Sequence, residues 1–236
     1  MEIIKTDNYN IYKFNNAIYK IQFRYQSYAI VSSLVRSRLI AGSSTDETYK
    51  SITFKAESVK SLKQYLQDYA VRIGKKTLLF SDAAKMTQSL VMQLKYMLEN
   101  TNSTIIGYTP ENIIVINDEK FVFLGSELVS EFDVDTEQIM ISCPYSPKDF
   151  FFSPEILSIK ELPAYIHYKT SYFSLACLII NVILGDDEFY REYLRYKQIS
   201  RIIDELNNHP IKHTKIYWLL SRCLVEDPKN RSIIFI

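Results

Sequence analysis

Between Phe121 and Pro147 the chain carries Glu127, Glu131, Asp133, Asp135 and Glu137, with neither Lys nor Arg among them. Such a run reads either as a solvated acidic loop or as a docking surface for a basic protein partner. Asp133-Val-Asp135 is too common a pattern to define a metal site. The cysteines, Cys143, Cys177 and Cys223, lack zinc-site spacing, and their odd number argues against a disulfide framework. They read as core residues of a reduced, intracellular protein, with a cytoplasmic location expected. The chain has 18 Tyr and 13 Phe, which could stack on bases but recur within apolar helical and strand patterns and so read as packing. A formal charge of +1 offers no broad electrostatic footprint for nucleic acid, so no nucleic-acid partner is expected.

These groups need a scaffold, and 236 residues at 47% hydrophobic content can supply a substantial core. Asn10–Phe14 and Ala17–Phe23 flank an Asn15-Asn16 turn and predict a hairpin. Apolar spacing predicts a helix from Gln26 to Ile40, then alternation predicts a strand over Tyr49–Lys55. Val59, Leu62, Leu66 and Tyr69 form a helical stripe ending before Gly74. A longer helix spans about Asp82–Asn100, with Ser81 as N-cap and Ala83, Met86, Leu90, Leu94 and Leu98 inward. Strands over Asn112–Ile116 and Lys120–Leu124 flank an Asn117-Asp118 turn. Gly125–Ser153 has little periodicity and reads as a long loop. Phe173–Leu184 is apolar on nearly every side, a buried helix capped by Ser171 and stopped at Gly185. Helices over about Asp187–Asn207 and Lys215–Val225 complete the pattern. Met1–Asp7 lacks the basic-then-apolar order of a signal peptide, and no stretch suits a membrane span, so no membrane association is expected.

Along this order, Thr109-Pro-Glu-Asn-Ile-Ile-Val115 resembles the second half of the protein kinase catalytic loop, His-Arg-Asp-Leu-Lys-Pro-x-Asn. Phe123-Leu124-Gly125 falls where the metal-binding Asp-Phe-Gly would lie, and Ser153-Pro-Glu155 resembles the Ala-Pro-Glu closing the activation segment. Ser171-Tyr-Phe-Ser-Leu-Ala-Cys177 resembles Asp-x-Trp-Ser-x-Gly, and Cys223-Leu-Val-Glu-Asp-Pro-Lys-Asn-Arg231 resembles Cys-Leu-x-x-Asp-Pro-x-x-Arg. The ordered set, over roughly residues 57–236, is similar to the protein kinase superfamily. The resemblance implies an α+β, protein kinase-like fold. A reduced, strand-rich N-lobe-like segment would span 1–56, and a mainly helical C-lobe-like domain 57–236. The first segment is shorter than a full kinase N-lobe, which fits five strands and a helix, and this would trim the cleft. The resemblance also implies a buried pair between Glu155 and Arg231.

Phosphoryl transfer depends on positioning and charge neutralisation, so its parts can be sought one by one. No glycine precedes Gly42, which removes a recognisable glycine-rich loop. Lys20 is the candidate for the phosphate-contacting lysine, although Lys13 sits in a near-identical context and both also read as exposed strand lysines. No Asp or Glu lies between Asn8 and Thr45 to pair with either from the helix. The catalytic aspartate's position is held by Gly107, which accepts no proton, and Thr109 replaces the lysine of that loop. Ile105 and Ile106 replace His-Arg. Phe123 stands at the metal aspartate and cannot hold magnesium. Asn112 matches the second metal ligand, but its amide reads more simply as bonding the backbone of a tight loop. Glu111 and Asp118 lie nearby, at motif positions that point away from the cleft.

The expectation is therefore a catalytically inactive kinase-like protein, a pseudokinase reminiscent of the kinase non-catalytic C-lobe domains, serving as a protein-binding or scaffold module. ATP and magnesium binding are expected to be absent or weak, with no catalytic residues and no metal ligands. One alternative is a divergent active kinase or other ATP-binding transferase. Another, motivated by richness in Ile, Lys, Asn and Tyr, is a structural or virion component of a large DNA virus.

Overall fold

The computed structural model describes residues 1–15, 17–145, 151–185, 188–196 and 198–233. The first 55 residues form β1 (Glu2–Lys5), β2 (Tyr9–Asn15), β3 (Ile18–Phe23), α1 (Tyr28–Arg36), β4 (Ser44–Thr45) and β5 (Ser51–Lys55). The strands make one antiparallel sheet in the order β1-β2-β3-β5-β4. Five strands and a helix thus fit a segment that looked too short for them, because the strands are only 2 to 7 residues long. Alternation decides the faces. On β3, Tyr19, Ile21 and Phe23 are buried, while Ile18, Lys20 and Gln22 are only half-buried.

Helix α1 stops four residues short of the predicted Ile40. Arg38 adopts a left-handed φ of 61°, the chain turns back, and the Ile40 N–H donates to the Leu34 carbonyl at 3.1 Å. The Asn15-Asn16 turn includes residue 16, which lies outside the described residues.

The rest of the chain runs through β6 (Val59–Ser61), α2 (Leu62–Ile73), α3 (Phe80–Thr101) and β7 (Ser103–Ile105). A 3-10 turn at Pro110–Asn112 leads into β8 (Ile113–Ile116) and β9 (Lys120–Phe123). Then come β10 (Val129–Glu131), β11 (Gln138–Ile141), α4 (Pro154–Leu157) and β12 (Ala164–His167). Helices α5 (Thr170–Leu184), α6 (Glu188–Tyr196), α7 (Ile199–Asn208) and α8 (Lys215–Cys223) close the described chain. The architecture is α+β: among the described residues, six strands and one α-helix precede residue 62, and six strands and seven α-helices follow.

Several boundaries differ from the sequence expectation for physical reasons. Val59 belongs to a strand, not to α2, because it pairs with Ile116 of β8. Ser61 then caps α2, accepting the Gln64 N–H at 3.2 Å. Ser81 does not cap α3. The helix begins at Phe80, and the Tyr69 hydroxyl serves its start by accepting the Leu79 N–H at 3.1 Å and donating to Asp82 at 3.0 Å. Ser171 likewise lies inside α5, which begins at Thr170. The stretch 125–153 is not one irregular loop: β10 pairs with β7 and β11 with β12, partners remote in sequence. The helix predicted over 187–207 is two helices, with Arg201 of α7 packed 4.0 Å from the Tyr196 ring centre of α6.

Helix α5 packs against α3, α8 and β7. All its residues except Asn181 and Leu184 are buried, and Gly185 ends it at φ 82°. Each fully buried Leu or Ile there contributes about 1.5–3 kcal/mol over an exposed one. Cys177 and Cys223 are buried with it, but Cys143 is exposed and does not belong to the core. Burial pushes the Cys223 thiol up to about 12, against the opposing pull of Arg231. No helix among the described residues is long and apolar enough to cross a membrane.

Candidate functional site

Asn112 and Phe123-Leu124-Gly125 meet where β8 begins and β9 ends. The Asn117-Asp118 turn between those strands has φ of 54° and 55°, which sets the hairpin's twist and register. The register places Ile113 opposite Phe123, and the Leu124 N–H donates to the Asn112 carbonyl at 2.8 Å. Asn112 and the Phe123-Leu124-Gly125 corner are thereby held side by side. Gly125 permits that approach: a Cβ there would sit 2.7 Å from Phe123 Cζ and 2.8 Å from Asn112 Cγ. Any larger residue would displace the Asn112 amide and the Phe123 ring.

Phe123 is fully buried, its ring 5.2 Å from that of Tyr108. Its backbone is clamped by a residue outside every motif named above. Gln93, fully buried on α3, accepts the Phe123 N–H at 2.8 Å and donates to the Phe123 carbonyl at 2.9 Å. The same amide nitrogen lies 3.2 Å from the Ser33 hydroxyl on α1, linking the small lobe to the corner. A polar residue amid the inward stripe of Leu90, Leu94 and Met97 was the available signal.

Asn112 does not bond the loop backbone through its side chain, as expected, but donates to the Glu127 carboxylate at 2.8 Å. Residue 127 as a whole is exposed, yet burial of its carboxyl end raises that group's pKa. Its own backbone N–H and the Asn112 amide oppose the rise. Thr109 turns its hydroxyl onto Glu111, and Asp118 faces Lys60 at 3.4 Å, so neither carboxylate joins Asn112. Gly107, Ile105 and Ile106 are buried, and the next N–H, that of Tyr108, donates to the Ser174 hydroxyl at 2.8 Å. Ser174 in turn donates to the Phe151 carbonyl, so a hydroxyl of α5 positions both segments.

The first sheet reaches this corner through Tyr9 of β2. Its side chain is 2% exposed, and its hydroxyl donates to the Glu111 carbonyl at 3.1 Å. Burial first, then the charges of Glu127 and Glu111, push its pKa far above the usual phenol range. Lys20 lies elsewhere. It pairs across the sheet with Tyr12 and Thr53, on the face opposite Tyr9 and Tyr19, so the structure does not bring it to Asn112. Lys13 occupies the inner face instead, 5.4 Å from the Tyr19 ring centre.

Glu155 of α4 and Arg231, beyond α8, come together. Arg231 is fully buried, with Nη1 and Nη2 donating to the two Glu155 oxygens at 2.5 and 2.9 Å. Its remaining donors reach the carbonyls of Val225 at 2.8 Å, Glu226 at 3.0 Å and Lys169 at 3.4 Å. The guanidinium also lies 5.2 Å from the Phe173 ring centre. One side chain therefore ties α4, the start of α5 and the segment after α8.

The acidic run does not form a single cluster. Asp133 caps its own turn by accepting from Thr136, and Glu137, at φ 57°, meets His167 at 3.1 Å. Among the described residues no group of three or more His, Cys, Asp or Glu is arranged to hold a metal ion. No protein-family model and no curated protein matches the chain.

Proposed function

We propose that the chain is a catalytically inactive, protein kinase-like protein that acts by binding other proteins. The observation that carries this reading is Tyr9. Its buried side chain bridges the small lobe to the Glu111 carbonyl, beside the Asn112–Phe123 corner, where a nucleotide's phosphates would have to lie. Five strands and one helix in the first segment, followed by a helical lobe built around α5, support the kinase-like fold. Gly107 and Phe123 offer neither a proton acceptor nor a metal ligand at the positions that resemble the catalytic loop and the metal motif. Lys20 lies on the sheet face opposite Tyr9, and this supports the reading that it makes no phosphate contact.

A second reading, a divergent active kinase, draws on Glu127, whose carboxylate reaches Asn112 at 2.8 Å. Thermal denaturation with and without Mg-ATP separates the two. The inactive reading expects no change in melting temperature. A rise of several degrees that disappears in Glu127→Ala would establish nucleotide binding and overturn it.

A further inference from the structure

His167 ends β12 and is only 7% exposed, so its two ring nitrogens depend on protein partners. Nδ1 accepts the backbone N–H of Lys169 at 3.2 Å. A ring nitrogen that accepts a hydrogen bond carries no proton, so the neutral ring keeps its proton on Nε2. Nε2 donates to the Glu137 carboxylate at 3.1 Å. The ring also stacks on Tyr168, with centres 4.9 Å apart.

Lys169 is a junction. It is the N-cap of α5, and its carbonyl accepts the Tyr172 N–H at 3.1 Å and Arg231 Nη1 at 3.4 Å. Its ammonium reaches the Lys229 carbonyl at 3.0 Å. Tyr168, just before it, donates its N–H to the Glu137 carbonyl at 3.0 Å and accepts the Thr104 and Ser171 hydroxyls at 3.0 and 3.1 Å. The bond from Lys169 to His167 therefore fixes the turn that joins the β11–β12 pair to α5 and to the segment after α8.

Acid removes that bond for a geometric reason. A second proton enters the ring at Nδ1, where it points at the Lys169 N–H, and two donors then face each other without an acceptor. The groups around the ring lean the same way. Burial comes first in holding its pKa below the usual histidine value; the hydrogen bond and charge of Glu137 oppose, and Lys169 and Lys229 add to the lowering. Gln138, opposite on β11, is neutral, and burial keeps the Tyr168 phenol protonated.

We propose that His167 and the Lys169 N–H form an acid-released latch, closed while the imidazole is neutral and opened by protonation of Nδ1. Opening frees the turn into α5 and the β11–β12 pair, while the first sheet and the β8–β9 hairpin keep their structure. A ring that takes its second proton less readily in the folded chain contributes stability that is present above the unfolded histidine value. That contribution is lost as pH falls through the lower folded value. The latch uses neither Asn112 nor Phe123, so it stands whichever way nucleotide binding at the corner turns out.

The test is nuclear magnetic resonance of the whole chain. Long-range proton–nitrogen spectra at neutral pH should show His167 protonated on Nε2 and bare on Nδ1. Hydrogen exchange at the Lys169 amide, corrected for the intrinsic effect of pH, should lose about tenfold or more of its protection between about pH 7.5 and about pH 5. Protection in β2 and β3 should stay level over the same range. His167→Gln offers an acceptor and a donor but does not titrate, and it should make the Lys169 protection independent of pH. Glu137→Gln removes the opposing carboxylate and should move the loss to lower pH, a check that serves even where His167→Gln folds poorly. A proton on Nδ1 at neutral pH, protection at Lys169 that is level in the parent, or an equal loss in β2 and β3 overturns the proposal. So does a loss that persists in folded His167→Gln or stays at the same pH in Glu137→Gln.

Discussion

Arg231 and Phe123 are both fully buried and have opposite relations to charge. At the base, a fully buried guanidinium keeps its carboxylate and three carbonyl acceptors, so every desolvated donor direction is answered. At the corner near Asn112, the position that resembles a metal aspartate is an aromatic ring, and the polar work is done by a neutral amide, Gln93. At the base, charge joins segments; at the corner, Phe123 carries none, and the carboxylate near it is Glu127, held by the Asn112 amide at 2.8 Å. On the proposed kinase-like reading, the difference means that holding the fold together and transferring phosphate place separable demands on the sequence.

The comparison breaks most readily at Arg231. Arg231→Ala strands the Glu155 carboxylate and three carbonyls, and a loss of about 3–5 kcal/mol is expected. For a chain of this size that is a fall of roughly 6–20 °C in melting temperature, measurable by calorimetry. A melt unchanged from the parent would mean that the base is held by packing alone. Gln93→Leu probes the corner. It leaves the Phe123 N–H and C=O buried without partners, at about 1–3 kcal/mol for each group. If chemical denaturation shows Gln93→Leu to be neutral, the clamp is incidental and the contrast with Arg231 loses its second half.

Tyr9→Phe removes a single neutral hydrogen bond to Glu111 while keeping the ring. About 1 kcal/mol should be lost. Hydrogen exchange at β1 and β2 should rise, because the hydroxyl is one of the few polar links from the sheet to the corner. Unchanged protection there would place the closure of the lobes on the apolar contacts instead.

What could be read from residue order and what could not divides along a physical line. Local signals served well. The Asn117-Asp118 turn has both residues at positive φ, Gly74 and Gly185 end their helices in the left-handed conformation, and α5 is buried on all sides. Pairing between remote segments was not legible: β10 and β11 looked irregular because their partners, β7 and β12, lie well away in the chain. Cys143 was misplaced in the core because its apolar neighbour Ile141 is buried while the chain beyond it turns outward. In the site, absences such as Gly107 were readable, since a missing carboxylate is a fact of sequence. Tyr9, Gln93 and Glu127 were not, because their roles depend on tertiary contacts between separate elements.

The smallest expected effect concerns Glu127, the carboxylate that Asn112 keeps near the corner. Burial raises its pKa in the folded chain, so the protonated form is the one favoured by folding. Its contribution is fully present below the unfolded carboxylate pKa and is lost as pH rises through the higher folded value. The exposure of residue 127 keeps the magnitude small, since solvent screens the ionised form. Glu127→Gln retains an acceptor for Asn112 and cannot ionise. Its stability relative to the parent should therefore increase on going from below the carboxylate range to neutral pH. Denaturant melts across that window check the sign. A difference that stays flat with pH would mean that the Asn112 amide and the Glu127 backbone N–H fully offset the burial, making the corner electrostatically neutral in either state of Glu127.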